Sequence, residues 1–153
     1  CALPIYSLSL SKSTYRDDVL SKDAGNKDVV VATRGKHVVD APDTMFKSIL
    51  GYDKGPFFGS LGLDYMSKRY YSYLNDASVN GRVLFNLSAG LRTKQLGFLS
   101  EGSVQVGVTN LANKKYISTV GSNGFVNSDP TGTNQTLLTG APRQFFVSFS
   151  AKL

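Results

Sequence analysis

Tryptophan is absent from these 153 residues, and cysteine and histidine each occur once. A single cysteine, Cys1, cannot close an internal disulfide, so no disulfide framework organises the chain. A single histidine, His37, leaves a histidine-based metal cluster or a catalytic triad with no partner to draw on. Charge is scarce too, at 18% against the roughly 25% of ordinary soluble domains. No run approaches the ~18 consecutive apolar residues of a membrane helix, so any membrane contact has to be made by strands. The net charge of +6 comes from Lys and Arg scattered over strand ends and loops. Without a basic run or an aromatic-basic array this argues against nucleic acid, and fits loops that meet anionic headgroups or an acidic ligand.

What the sequence does hold is glycine (15), phenylalanine (9), tyrosine (8) and a persistent period of two. From Arg143 the chain runs Gln-Phe-Phe-Val-Ser-Phe-Ser-Ala-Lys-Leu, with Phe145, Val147, Phe149, Ala151 and Leu153 on one parity and Gln144, Ser148, Ser150 and Lys152 on the other. Only Phe146 breaks the alternation. A helix would smear these residues around its circumference, so the segment is a strand with one apolar and one polar face.

The same signature recurs upstream. Ile5 to Ser13 sets Tyr6, Leu8 and Leu10 against serines, and from Thr44 Phe46, Ser48, Leu50 and Tyr52 alternate with Lys47, Ile49 and Gly51. Asp53-Lys54-Gly55-Pro56 reads as a tight turn. Phe57 to Tyr71 follows as one expected strand of membrane-spanning length, with Tyr65, Tyr70, Tyr71 and Tyr73 near its far end in the manner of an aromatic girdle. Arg82 to Lys94 is the clearest strand. Val83, Phe85, Leu87, Ala89 and Leu91 share its apolar face, and Arg82, Asn86, Ser88, Gly90, Arg92 and Lys94 the other. Ser103 to Leu111 places Val104, Val106 and Val108 opposite Gln105, Gly107 and Thr109. Small hydroxyls and charges are poor filling for a dry core, because each needs a partner once buried. They suit a face that lines water or covers a polar plug.

Between strands the pattern lapses. Thr14 to Asp43 is rich in Asp, Lys, Gly and Asn, with Val29-Val30-Val31 as a candidate local hairpin. Its acidic residues, Asp17, Asp18, Asp23 and Asp28 with Asn26, lack calcium-loop spacing and read as a solvated surface. Lys114 to Gly140 has the Gly, Asn, Ser and Thr content of a loop, with Phe125 and Leu137-Leu138 as local anchors. Gly121-Ser122-Asn123-Gly124 within it is a turn signal more than a phosphate cradle. Counting strands near 5, 44, 57, 82, 103 and 143, the connections run long, short, medium, short, long. In a hairpin meander the longer ones all fall at one end and the shorter ones at the other, which is the asymmetry of an outer-membrane barrel. The fold expected is therefore all-β: an antiparallel meander of about six long strands forming a curved sheet, an incomplete segment of a transmembrane β-barrel. Its lipid-facing wall would include Val83, Phe85, Leu87, Ala89, Leu91, Val104, Val106 and Val108.

The stretch Val104-Gln105-Val106-Gly107-Val108-Thr109-Asn110-Leu111, continuing through Ala112-Asn113-Lys114-Lys115-Tyr116, resembles the penultimate barrel strand of TonB-dependent outer-membrane receptors. Gly140-Ala141-Pro142-Arg143-Gln144-Phe145-Phe146-Val147 looks like the start of their final strand. Tyr65-Met66-Ser67-Lys68-Arg69-Tyr70-Tyr71 and Gly35-Lys36-His37-Val38-Val39-Asp40-Ala41-Pro42 are also similar to segments of these receptors, and the four motifs together cover nearly the whole chain. The resemblance implies a barrel of about 22 strands around an amino-terminal plug, with import driven through contact with TonB. On it, residues 1–153 are a carboxy-terminal barrel segment, with the plug and the earlier strands lying outside the chain. The terminal Leu153 departs from the family's usual terminal aromatic, although Phe149 keeps an aromatic on the same face. The absence of an initiator Met and a signal peptide also reads as a chain cut at its front. The alternative, a lipid-bearing Cys1, is disfavoured by strand pattern beginning at Ile5.

The function this implies is part of an importer of a scarce or large nutrient, of siderophore, cobalamin or carbohydrate type, in the outer membrane of a Gram-negative bacterium. Its partners would be outer-membrane lipid, the remainder of the barrel and plug, and the barrel-assembly machinery acting on Phe145, Val147, Phe149, Ala151 and Leu153, with TonB reached only through the absent plug. Candidate outer-loop ligand contacts are Tyr73, Asn75, Asn123, Phe125 and Asn127. No cofactor, nucleic acid or enzymatic chemistry is expected, since no nucleophile-base pair stands out. The competing reading is a soluble all-β module that binds a carbohydrate or other ligand.

Overall fold

The computed structural model describes residues 2–22, 26–94, 101–121 and 134–152. Twelve strands follow one another among them: β1 (Ala2–Leu10), β2 (Val19–Lys22), β3 (Asp28–Val31), β4 (Thr44–Lys54), β5 (Phe57–Met66), β6 (Arg69–Tyr70), β7 (Ser78–Val79), β8 (Arg82–Thr93), β9 (Glu101–Thr109), β10 (Ile117–Gly121), β11 (Thr136–Thr139) and β12 (Gln144–Lys152). Six of them form the main sheet in the order β1-β4-β5-β8-β9-β12, every neighbour antiparallel. The other six pair as short hairpins, β2-β3, β6-β7 and β10-β11, inside the three long connections.

Register assigns the faces. One row of side chains, Pro4, Leu50, Leu61, Leu87, Val108 and Phe145, crosses the whole sheet. The row beside it runs Ala2, Tyr52, Gly59, Ala89, Val106 and Val147, and a third runs Lys54, Phe57, Leu91, Val104 and Phe149. Val83 and Phe85 stand on the same face, opposite Tyr65 and Leu63, and Ala151 opposite Gly102. Every described residue of the expected apolar wall therefore shares one face. Leu153 lies outside the described residues.

The opposite face is mixed and laced with polar contacts. Ser60 and Ser88 hydroxyls meet at 2.9 Å, Asp64 lies 3.5 Å from both Lys47 and Arg82, and Arg92 donates to Asp53 at 2.6 Å. Arg92 also sits 4.7 Å over the Phe58 ring, which rests on Gly90. Phe146, the residue that broke the alternation, stands on this face across from Gly107.

The distribution of burial is inverted relative to a water-soluble domain. Among the described residues the buried apolar side chains are Val31, Tyr73, Val79, Leu84 and Val120, and only Leu84 belongs to the main sheet. The wall itself is bare: Val106 is 53% exposed, Val147 74% and Phe149 72%. No second layer covers either face among the described residues, so the sheet owes its order to its ladders and not to a core of its own.

Two details show how closely the strands are set. Gly55, at φ 59°, opens the two-residue turn Gly55-Pro56, where a hairpin turn needs a positive φ that side chains resist. Gly59 has no room for a side chain, since a Cβ there would lie 2.6 Å from the Ser88 carbonyl oxygen. A backbone atom held in a ladder cannot move aside, so Gly59→Ala is expected to cost roughly 1–3 kcal/mol, seen as an earlier urea midpoint of the folded receptor.

Two expectations need correction. The strand expected over Phe57 to Tyr71 ends at Met66, because its partner β4 begins at Thr44. Thr44 and Ser67 cap the pair with reciprocal bonds, Ser67 N–H to the Thr44 carbonyl at 2.9 Å and Thr44 N–H to the Ser67 hydroxyl at 3.1 Å. Residues 69–70 then start a separate hairpin with 78–79. Of the expected tyrosine girdle only Tyr65 lies on the wall, while Tyr70 and Tyr73 pack among loops. The segment Lys114 to Gly140, read as a loop favouring turns over packed structure with Phe125 and Leu137-Leu138 as anchors, contains the β10-β11 hairpin, in which Leu137 and Leu138 lie and Val120 is buried, while Phe125 lies outside the described residues. The Val29–Val31 hairpin is present, paired with Val19–Lys22.

Candidate functional site

The three longer connections, residues 11–43, 67–81 and 110–143, all leave one end of the sheet, and the two shorter ones, 55–56 and 94–100, leave the other. The long loops hold one another. Asp40 N–H donates to the Tyr70 carbonyl at 2.9 Å. Asn75 clips the backbone of His37 from both sides, its Oδ1 accepting from His37 N–H at 2.6 Å and its Nδ2 donating to the His37 carbonyl at 3.0 Å. Asp40 and Asn75 adopt φ of 59° and 60°, left-handed values that Asp and Asn tolerate better than other side chains. The His37 ring lies 5.5 Å from that of Tyr70, and its Nδ1 is 3.2 Å from Asp43. Lys68 adds a bond to the Tyr70 hydroxyl at 2.8 Å.

Small buried hydroxyls finish the first two loops from within. Thr33 is fully buried and donates to the Asp17 carbonyl at 2.8 Å, and Ser72, equally buried, accepts from Ala77 N–H at 3.0 Å. Tyr15 and Tyr73 meet at 6.1 Å between ring centroids. Burial pushes the Tyr15 phenol above its ordinary pKa, and the N–H of Val39, 3.4 Å from its oxygen, works the other way.

At the centre is Arg69, 5% exposed. From the second loop its guanidinium donates to Asp40 of the first at 2.6 Å and to the Ile117 and Ser118 carbonyls of the third at 2.9 and 3.4 Å. A planar fork of donors suits three acceptors set around it, which a lysine's point charge would not serve equally. One side chain therefore ties all three loops together. The sheet's mixed face carries a recess lined by Lys47, Asp64, Asn86, Ser88, Thr109 and Phe146.

Of the expected ligand contacts, Asn123, Phe125 and Asn127 lie outside the described residues. Tyr73 is buried against Tyr15 and Asn75 is engaged with His37, so both side chains are used in joining loops. Sequence reasoning missed Arg69 and Asp40 as a pair, because Arg69 fell inside a segment read as strand and twenty-nine residues separate the partners. Of the acidic cluster, Asp18 accepts from Arg34 N–H at 2.8 Å and Asp28 pairs with Lys22 at 3.7 Å. No group of three or more His, Cys, Asp or Glu able to hold a metal occurs among the described residues.

No family model matches the sequence, and no curated protein matches it. Solved structures do. The siderophore receptor PiuA from Acinetobacter baumannii superposes with a TM-score of 0.74 at 14% identity, over 95% of this chain and 18% of that one. The ferric citrate transporter FecA, in its unliganded form, gives 0.61 at 15% identity over 76% of this chain and 17% of its own. BauA, the ferric preacinetobactin receptor from Acinetobacter baumannii, gives 0.57 at 23% identity over 77% and 16%. The chain thus spans less than a fifth of the length of the proteins it resembles. What is shared at these identities is the fold, and it makes the six-stranded sheet a partial barrel. The structural likeness supports the resemblance to TonB-dependent receptors carried by the sequence motifs.

Proposed function

We propose that the chain is a carboxy-terminal wall segment of a TonB-dependent outer-membrane receptor, not an enzyme, and that it helps import a nutrient across the outer membrane of a Gram-negative bacterium. A ferric chelate is the cargo favoured by the names of its structural neighbours. The observation that carries the reading is the uncovered apolar face, continuous across six strands, a breadth of bare apolar surface that water-soluble monomers rarely leave exposed. Lipid is the solvent such a face fits, while the mixed face, with its ion pairs and serines, turns to the lumen and the plug. TonB acts through that plug. The Arg69-tied loops form part of the outer mouth, and β12 is the strand that closes the barrel and that the assembly machinery receives.

The orientation is tested with Leu138→Cys, a position 53% exposed on β11, in the complete receptor carrying Cys1→Ser. In intact cells it is expected to react with a membrane-impermeant thiol reagent. Reaction only after the outer membrane is broken would put the long loops in the periplasm. Recovery of the receptor in the soluble fraction without detergent would favour the carbohydrate-binding soluble module instead.

A further inference from the structure

The Asn-Leu-Ala-Asn-Lys-Lys-Tyr motif supplied a resemblance but no task. Its geometry supplies one. Asn110 is 4% exposed, sits at φ 49° directly after β9, and uses its whole amide: Oδ1 accepts from Lys114 N–H at 2.8 Å, and Nδ2 donates to the carbonyls of Lys114 at 2.9 Å and Ala141 at 3.1 Å. Its own N–H donates to Asn86 of β8 at 3.1 Å. Asn113, at φ 51°, accepts from Arg143 N–H at 3.0 Å, one residue before β12 begins. Gly140 N–H donates to the Tyr116 carbonyl at 2.8 Å, and the Tyr116 ring covers Gly140 so closely that a Cβ there would collide with it. The two feet of the third loop are thus fastened to each other and to β8 at the level where β9 ends and β12 starts.

This matters because the wall pattern cannot set the register between those strands. A slip of one residue would turn every apolar side chain of β12 to the wrong face and is excluded by patterning. A slip of two preserves parity: with Val147 opposite Val108, Phe149 would stand opposite Val106 and Ala151 opposite Val104, and Phe145 alone would lose its valine, to Asn110. Phe146 across from Gly107 favours the native register, but on one pair alone. The length of the connection 110–143 imposes little, because the closure cost of a loop that long hardly changes with a shift of two residues.

We propose that Asn110 is a positioning residue that fixes the register of the barrel-closing strand β12 on β9, making the base of a long loop act as a tight turn. The length and content of residues 117–139 then have no part in setting that register.

The test uses the complete receptor to which the proposed function assigns the segment, with Cys1→Ser and two paired-cysteine reporters on the wall. Val106→Cys with Val147→Cys reports the native register, because these are direct partners. Val108→Cys with Val147→Cys reports the two-residue slip. With Asn110 intact, oxidation of folded, heat-modifiable receptor is expected to join the first pair and leave the second open. Asn110→Asp keeps the acceptor for Lys114 N–H and loses both amide donations. It is expected to raise slipped cross-linking at least several-fold within the folded band. Asn110→Ala is expected to do so further, whereas replacing 117–139 by a short Gly-Ser link leaves native cross-linking unchanged. If both variants merely lower the amount of folded receptor, and all that remains cross-links in the native register, Asn110 contributes stability and not register, and the proposal fails. It fails equally if loop replacement alone produces the slipped pair. Neither result depends on which side of the membrane the loops face, so failure here is distinct from failure of the topology.

Discussion

Leu87→Arg in the complete receptor is expected to cost about 2–4 kcal/mol, and Ser88→Arg, one residue on, less than about 1 kcal/mol. Leu87 lies midway along β8 and in the row that crosses all six strands, with Leu61 and Val108 as its flanking partners. An arginine there would point into the middle of the apolar face, where no polar side chain stands beside it and a guanidinium faces hydrocarbon. Ser88 points the other way. Its neighbours on that face are Ser60 and Gly107, so a long side chain finds room beside polar groups and water at the loss of one hydroxyl contact of 2.9 Å. Refolding of purified receptor into vesicles across a urea series measures both. Equal costs at the two positions would show that the apolar face does not meet lipid, and would return the soluble reading to contention.

The six strands of this wall were legible because period two is a local signal, repeated in every strand and reinforced by loop lengths that alternate with it. Val83 to Leu91 needed no partner to reveal its two faces. The loops were legible only as loops. Their structure rests on pairs distant in sequence, such as Arg69 with Asp40 and Ile117, or Asn75 with His37, and on backbone carbonyls as acceptors, which any residue provides and no pattern announces. Phe57 to Tyr71 shows where the local signal misleads. The tyrosines after Met66 carry strand-like chemistry, yet the ladder stops where β4 stops, and strand length is set by the partner as much as by the strand. The motif from Asn110 to Tyr116 was visible as a resemblance while its role was not, because Ala141 and Arg143, the residues it fastens, contribute only backbone atoms.

Asp40→Ala is expected to cost about 2–3 kcal/mol, less than the roughly 3–5 kcal/mol of stranding one partner of a fully buried ion pair, because this pair is part-buried. Arg69 is the more deeply placed member, its side chain 6% exposed against 37% for Asp40. Removing the carboxylate leaves a guanidinium in the loop interior with two carbonyls for company and no counter-charge, and alanine at φ 59° adds backbone strain that aspartate bears more easily. Asp40→Asn separates these effects. It keeps an oxygen for Arg69 Nη1 and a residue type suited to the left-handed region, and loses only the charge, so its cost should be clearly smaller. Because the damage is confined to loops while the ladders of the six-stranded sheet are untouched, Asp40→Ala should leave heat-modifiable barrel in the membrane yet speed proteolysis of the loops. Hydrogen exchange localises the change: faster exchange is expected at Asp40 N–H and at His37 N–H, with Leu87 and Val106 unaffected. Unaltered loop exchange in Asp40→Ala would show that Arg69 finds its compensation elsewhere and that the three loops are not held by this pair.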